Sequence, residues 1–209
     1  MGLREFKKQH TRRNIADEAM RLFVQRGFDA VTVAEVAEAA QVSEKTVFNY
    51  FPTKEDLFYD EVPAREAALV AAIRDRAPGD SVLGALRRLQ VAECPRLCSP
   101  SFATFARIIE DSPALQAKEL EVMAHFAHVL SEGIRQELRI DERDARIAAG
   151  LLISIHRQVF RAARRQALDG KQGAAAVRRL RADLNRAYEL LEHGLSQLDD
   201  PAAPIASAG

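Results

Sequence analysis

Between Thr32 and Leu57 the chain compresses three helix starts and one hard stop into 26 residues, and few folds accommodate that. Thr32-Val33-Ala34-Glu35 has the spacing of a capping box, in which a hydroxyl and a carboxylate satisfy each other's backbone donors at the start of a helix. Val33, Val36 and Ala37 then recur at helical spacing. A turn near Ala40-Gln41 leads to Ser43, a preferred N-cap residue, and to a helix with Val42, Val47, Tyr50 and Phe51 on its inner side. Pro52 stops that helix, because it has no N–H and disfavours helical geometry before it. Thr53-Lys54-Glu55-Asp56 opens a further helix through Leu57 and Phe58. Glu44, Lys45, Phe48 and Asn49 are left facing outward. Two short helices with a tight turn and a polar outer face on the second have the layout of a helix-turn-helix, whose second helix lies in the major groove of DNA.

The remaining sequence predicts an all-α protein. It divides into an N-terminal three-helix helix-turn-helix domain at 1–60, a larger helical domain at 61–198, to which the family resemblance given below assigns effector binding and dimerisation, and a disordered Pro/Ala-rich tail at 199–209. The first helix is expected over Thr11–Arg26, with Ile15, Ala19, Leu22 and Phe23 on one face and Gly27 ending it. Pro63 predicts a kink in the helix that starts at Thr53. Further helices are expected at 81–93, 101–110 and 114–139, broken near Pro95, Pro100 and Asp111-Ser112-Pro113. Two long ones follow at 142–168 and 174–197.

The 209 residues carry 30 basic and 30 acidic side chains, so no global basic field points to nucleic acid. Residues 1–62 hold nine basic against eleven acidic residues, a net of −2. Positive charge is local: residues 1–14 hold Arg4, Lys7, Lys8, Arg12 and Arg13 against Glu5. This segment reads either as an arm along the DNA backbone or minor groove, or as a solubilising tail. The first residues carry charge without an apolar run, unlike a secretory signal. No stretch approaches the ~20 apolar residues of a membrane span. A soluble, cytoplasmic protein is expected, with no membrane partner.

Residues 11–58 resemble the N-terminal domain of the tetracycline-repressor (TetR) family of transcription regulators. The resemblance rests on Ala19-Met20-Arg21-Leu22-Phe23, Arg26-Gly27-Phe28, Thr32–Ala37, Val42–Phe51 and Thr53–Leu57, in order and without gaps. It implies a homodimer that binds double-stranded, palindromic operator DNA and answers to a small-molecule effector, most often as a repressor. The DNA-facing set it implies is Thr32, Ser43, Glu44, Lys45, Thr46, Phe48, Asn49, Tyr50 and Lys54, with Lys54 on a phosphate. Lys45 suits either guanine or a phosphate, and Glu44 suits either cytosine or its own helix N-terminus. Ser43 reads equally as a plain cap. The chain departs from the family pattern at three places: relatives carry Gly where Ala40 stands, Gly where Lys45 stands and Tyr where Phe48 stands.

The family's effector domain implies an apolar pocket, for which Phe102, Phe105, Ile109, Met123, Phe126, Leu152, His156 and Phe160 are candidates; each serves equally well as ordinary core. Arg107-Ile108-Ile109-Glu110-Asp111-Ser112-Pro113-Ala114-Leu115 before a long helix resembles regulators of the acyl-CoA-like ligand-binding type. An acyl thioester or another apolar ligand follows as the expected effector. The last two helices have the length for a two-fold contact, with Ile147, Leu151, Ile155, Val159, Val177, Leu180, Leu184, Tyr188, Leu191 and Leu195 as its apolar candidates. His125 and His128 lack a third ligand, so no metal is expected. Cys94 and Cys98 do not form CxxC and read as buried thiols. No nucleophile series or phosphate loop suggests an enzyme, and no cofactor is expected. Two rivals stand beside the regulator: a small-molecule-binding or enzymatic helical protein with a vestigial helix-turn-helix, and an effector-independent DNA-binding protein.

Overall fold

The computed structural model describes residues 2–194, so the expected tail at 199–209 and Leu195 lie outside the described residues. Ten helices and no strand occur among them. They are α1 (Leu3–Arg26), α2 (Val33–Ala39), α3 (Glu44–Tyr50), α4 (Lys54–Phe58), α5 (Val62–Arg74), α6 (Val82–Leu97), α7 (Pro100–Glu110), α8 (Pro113–Leu138), α9 (Glu142–Leu168) and α10 (Gly173–His193). The chain forms two compact units. Among the described residues, one joins 2–67 to 101–124, and the other joins 68–100 to 125–194.

The first unit is organised around aromatic residues. Phe23 of α1, Phe28 and Phe58 of α4 meet with ring centroids 4.9 to 6.3 Å apart. Ile15, Val36, Val47, Phe51 and Leu57 complete this core, and Ile108, Ile109 and Leu115 are built into it. The three-helix domain therefore shares its core with α7 and the start of α8. Ser112 explains how that corner is held. It is 1 % exposed, stands as N-cap with Pro113 in the first turn of α8, and donates its hydroxyl to Asp29 Oδ1 at 2.8 Å.

In the second unit α6, α9 and α10 pack through Leu86, Cys94, Leu152, Leu180, Leu184 and Tyr188. Gln90 Nε2 donates to the buried Tyr188 hydroxyl at 3.0 Å, and Arg87 Nε donates to Asn185 Oδ1 at 3.0 Å. The turn after α9 is a Schellman motif: Lys171 N–H donates to Gln166 O at 2.8 Å and Gly170 N–H to Ala167 O at 3.1 Å. Gly170 supplies the left-handed residue, with φ 73°.

Four expectations need correction. The first helix begins at Leu3 rather than Thr11, because Glu, Lys, Arg and Gln are good helix formers and no breaker lies before Gly27. Pro63 kinks nothing: α4 ends at Phe58, and the proline falls in the first turn of a separate α5, where its missing N–H has no intrahelical partner anyway. Pro95 does not break α6. The loss of one hydrogen bond there is offset by burial of Cys94 and Leu97 on either side. The apolar stripes of α9 and α10 pack mostly within their own chain. Ile155, Val159, Leu180, Leu184 and Tyr188 are buried, whereas Ile147 and Leu151 are 55 % and 49 % exposed.

Candidate nucleic-acid interface

The turn that orients α3 is set by local chemistry. Thr32 N–H donates to Glu35 Oε2 at 2.7 Å, and Glu35 N–H donates to Thr32 Oγ1 at 3.2 Å, completing the capping box of α2. Arg26 at the end of α1 reaches the other carboxylate oxygen at 2.7 Å. The Thr32 amide, and after it Arg26, hold the Glu35 carboxyl down to about 2. At the other end of α2, Gln41 N–H donates to Glu38 O at 3.0 Å and Val42 N–H to Ala37 O at 2.9 Å. This is again a Schellman motif, but its left-handed residue is Gln41, with φ 57°. Ala40 is right-handed, with φ −80°. The backbone demand for glycine thus falls on Gln41 and not on Ala40.

Ser43 caps α3 by accepting the Thr46 N–H at 3.1 Å, and its hydroxyl lies 2.8 Å from the Thr46 hydroxyl. Val47 is 1 % exposed and Phe51 1 %, so this side of α3 is anchored in the core. Glu44, Lys45 and Asn49 are exposed, and Phe48 is 47 % exposed. These four share the outer face of α3, as positions four apart on a helix do. Tyr50 is half-buried and packs against the core.

Lys54 is the first residue of α4, and its ammonium lies 4.2 Å above the Phe28 ring. Burial pulls its pKa below the ordinary lysine value, against the opposing pull of Asp29 and Glu55. The cation is held in place by the ring while part of it stays open to solvent. Thr53 and Asp56 form the capping box of α4, with Thr53 N–H donating to Asp56 Oδ2 at 3.0 Å.

The structure separates the basic residues of the first segment. Lys7, Lys8 and Arg13 are exposed on the extended α1, while the Arg4 side chain lies outside the described residues. Arg12 turns inward: its guanidinium carbon sits 4.5 Å over the Phe51 ring and it donates to Asp60 O at 3.4 Å. Sequence reasoning missed Asn14, whose Nδ2 donates to Ala40 O at 3.0 Å and ties α1 to the turn. An asparagine inside a helix, where its propensity is poor, was the available signal.

The eight effector candidates fall in both units. In the first, Phe102 and Ile109 are 3 % and 0 % exposed and Met123 is 9 %. Phe105 stacks on Phe58 at 4.4 Å. Ile109 and Phe105 thus belong to the core around α1–α4. In the second, Phe126 and Leu152 are buried, and half-buried His156 and Phe160 stack at 6.3 Å on α9.

A buried-backed, doubly capped α2–turn–α3 with a polar outer face defines the class: a helix-turn-helix protein whose second helix is built to enter a DNA groove. Residues 15–60 match the family model for bacterial regulatory proteins of the tetR family. The regulator TcmR of Streptomyces glaucescens is 30 % identical over 147 residues, 64 % of this chain and 65 % of that protein. LuxR of Vibrio harveyi is 49 % identical over 51 residues, 24 % of each chain. The matched segments span less than two thirds of either relative. Among solved structures, Thermus thermophilus FadR superposes with a TM-score of 0.54 at 24 % identity, over 95 % of this chain and 100 % of that one. NalD of Pseudomonas aeruginosa superposes with a TM-score of 0.57 at 18 % identity, over 86 % and 97 %. Residues 15–60 thus carry the DNA-binding domain of the TetR family of transcriptional regulators.

Proposed function

We propose that this protein is a homodimeric operator-binding regulator whose hold on DNA is changed by a small apolar effector, with repression as its default output. The observation that carries the reading is α3: capped by Ser43, anchored by Val47 and Phe51, and presenting Glu44, Lys45, Phe48 and Asn49 outward. Lys45 and Glu44 are the base-reading candidates, and Lys54, with its ammonium oriented by Phe28, is the phosphate-holding one. Thr32, Ser43 and Thr46 support the interface first as caps, since their hydroxyls are engaged within the helix starts. The two-fold contact draws on the exposed Ile147 and Leu151 of α9. A protein of this kind works where the DNA is, in the cytoplasm.

The route for regulation lies in the first unit. Lys118 of α8 forms an ion pair with Asp56, the capping-box residue of α4, at 2.9 Å. Tyr59, at the end of α4, donates its hydroxyl to Leu115 O at 3.0 Å. A displaced α8 therefore pulls on α4 at both ends, and with it on Lys54. An effector needs only a few kcal/mol of differential affinity to shift such a two-state element. The FadR structure of similar fold is a complex with lauroyl-CoA, which supports an acyl thioester as the ligand class, as does the 107–115 segment.

The test is selection of duplexes from a random pool, followed by gel shift with and without lauroyl-CoA. Sequence-specific, salt-sensitive binding that the thioester weakens and free CoA does not is the expected result. Equal affinity for selected and random DNA would overturn the regulator. Specific binding indifferent to the thioester would overturn the acyl reading alone.

A further inference from the structure

Phe48 is the large side chain of α3 that the fold leaves unused. Val47 and Phe51 are each 1 % exposed and hold the helix in the core, and half-buried Tyr50 packs there with them. Phe23, Phe28 and Phe58 of the same unit are buried too. Phe48 is 47 % exposed, lies outside that core and meets no other aromatic ring among the described residues. A ring left half in water forgoes apolar burial. Its neighbours on the outer face are polar and equally exposed: Glu44 one turn before it, Lys45 three residues before it and Asn49 next to it. One ring framed by polar groups suits a partner that offers a single small apolar group in a polar setting.

We propose that Phe48 reads thymine, packing its ring on the C5-methyl group of one thymine in each half-site. This rests on the operator-binding reading and adds a base preference that Lys45 and Glu44 do not supply. The groove that admits an α-helix is the major groove, and its base edges carry donors, acceptors and one apolar group, the thymine methyl. A phenyl ring neither donates nor accepts a hydrogen bond, so it has no match on the guanine, adenine or cytosine edge. Phosphate contacts come from charged, hydroxyl, amide and backbone N–H groups, none of which the ring has. Glu44, on the same ridge of α3, is repelled by phosphate and keeps this edge of the helix toward the bases. Ring and methyl leave water together, and burial of one methyl corresponds to about a fourfold change in affinity.

The test is a uracil scan. The full chain selects duplexes from a random pool, and each thymine of a selected duplex is replaced in turn by uracil, which deletes the methyl and keeps the hydrogen-bonding edge. Dissociation constants are read by fluorescence anisotropy at one salt concentration. For the parent, one thymine in each half-site should cost about fourfold on replacement. Phe48→Ala should bind the thymine and uracil duplexes equally, whereas Lys45→Ala should still tell them apart. Phe48→Ala should melt as the parent does, because the ring lies outside the core; the parent scan itself needs no variant. A selected duplex on which the parent feels no uracil overturns the thymine reading and leaves operator binding standing. So does a Phe48→Ala chain that keeps the full fourfold discrimination, which would hand the methyl to another group such as Thr46. A chain that selects no sequence overturns the operator reading and this one with it.

Discussion

Replacing Gln41 with glycine should stabilise the first unit, and replacing its neighbour Ala40 should do the opposite. Gln41 sits at φ 57°, where a side chain bearing a Cβ costs roughly 1–2 kcal/mol. Glycine there removes that strain but gives back about 0.4–1 kcal/mol through the greater freedom of the unfolded chain. The balance is a gain of about 0.5–1 kcal/mol. Nothing else is lost, because the Gln41 side chain is exposed and makes no hydrogen bond among the described residues. Ala40 is right-handed and 4 % exposed. Ala40→Gly therefore removes a buried methyl, about 0.8 kcal/mol, and adds unfolded-state freedom, for a cost of about 1–2 kcal/mol. Urea denaturation gives the midpoints. Hydrogen exchange at the Val42 and Val47 amides reports the first unit separately from the second. A destabilising Gln41→Gly, or a neutral Ala40→Gly, would show that the turn does not close as a Schellman motif around Gln41.

Three further outcomes follow. Lys45→Ala should cost roughly 1–3 kcal/mol in operator binding, measured by gel shift, with unchanged melting; an equal loss on random DNA would make Lys45 a phosphate contact. A double-mutant cycle on Lys118→Met and Asp56→Asn should give a coupling of about 1 kcal/mol, above the usual surface pair, because the side chains are only 21 % and 27 % exposed. Glu35→Gln should lower the melting temperature at neutral pH. The Glu35 carboxyl is depressed from 4.5 to about 2 in the folded chain, so its contribution is complete above pH 4.5 and is lost as pH falls toward 2. The gap between parent and variant in a pH series of melts should close over that window.

Much of the first unit was legible because its elements are local. Thr32, Ser43, Thr53 and Pro52 act within three or four residues of themselves, and the structure places the α2, α3 and α4 starts where those signals stand. What escaped was non-local. Nothing in the spacing of Phe105, Ile109 or Leu115 says that they complete the core around Phe23 and Phe58. The apolar stripes of α9 and α10 fit a partner surface as well as the chain's own α6, and burial of Leu184 and Tyr188 shows that much of that surface is internal. Gln41 was unreadable for a different reason: a non-glycine residue in the left-handed region is dictated by the Schellman hydrogen bonds and not by its own preference. Arg12 looked like a free cation, and only the structure shows it lying on Phe51.

The central claim is that α3 reads an operator as one half of a symmetric pair. Footprinting of the full chain on a duplex it has selected tests this most directly. Two protected half-sites related by a dyad, their centres about 34–36 Å or one helical turn apart, are the expected result, and both should weaken together in Lys45→Ala. A single protected site with no dyad, or protection that persists unchanged when Lys45 is replaced, would contradict it.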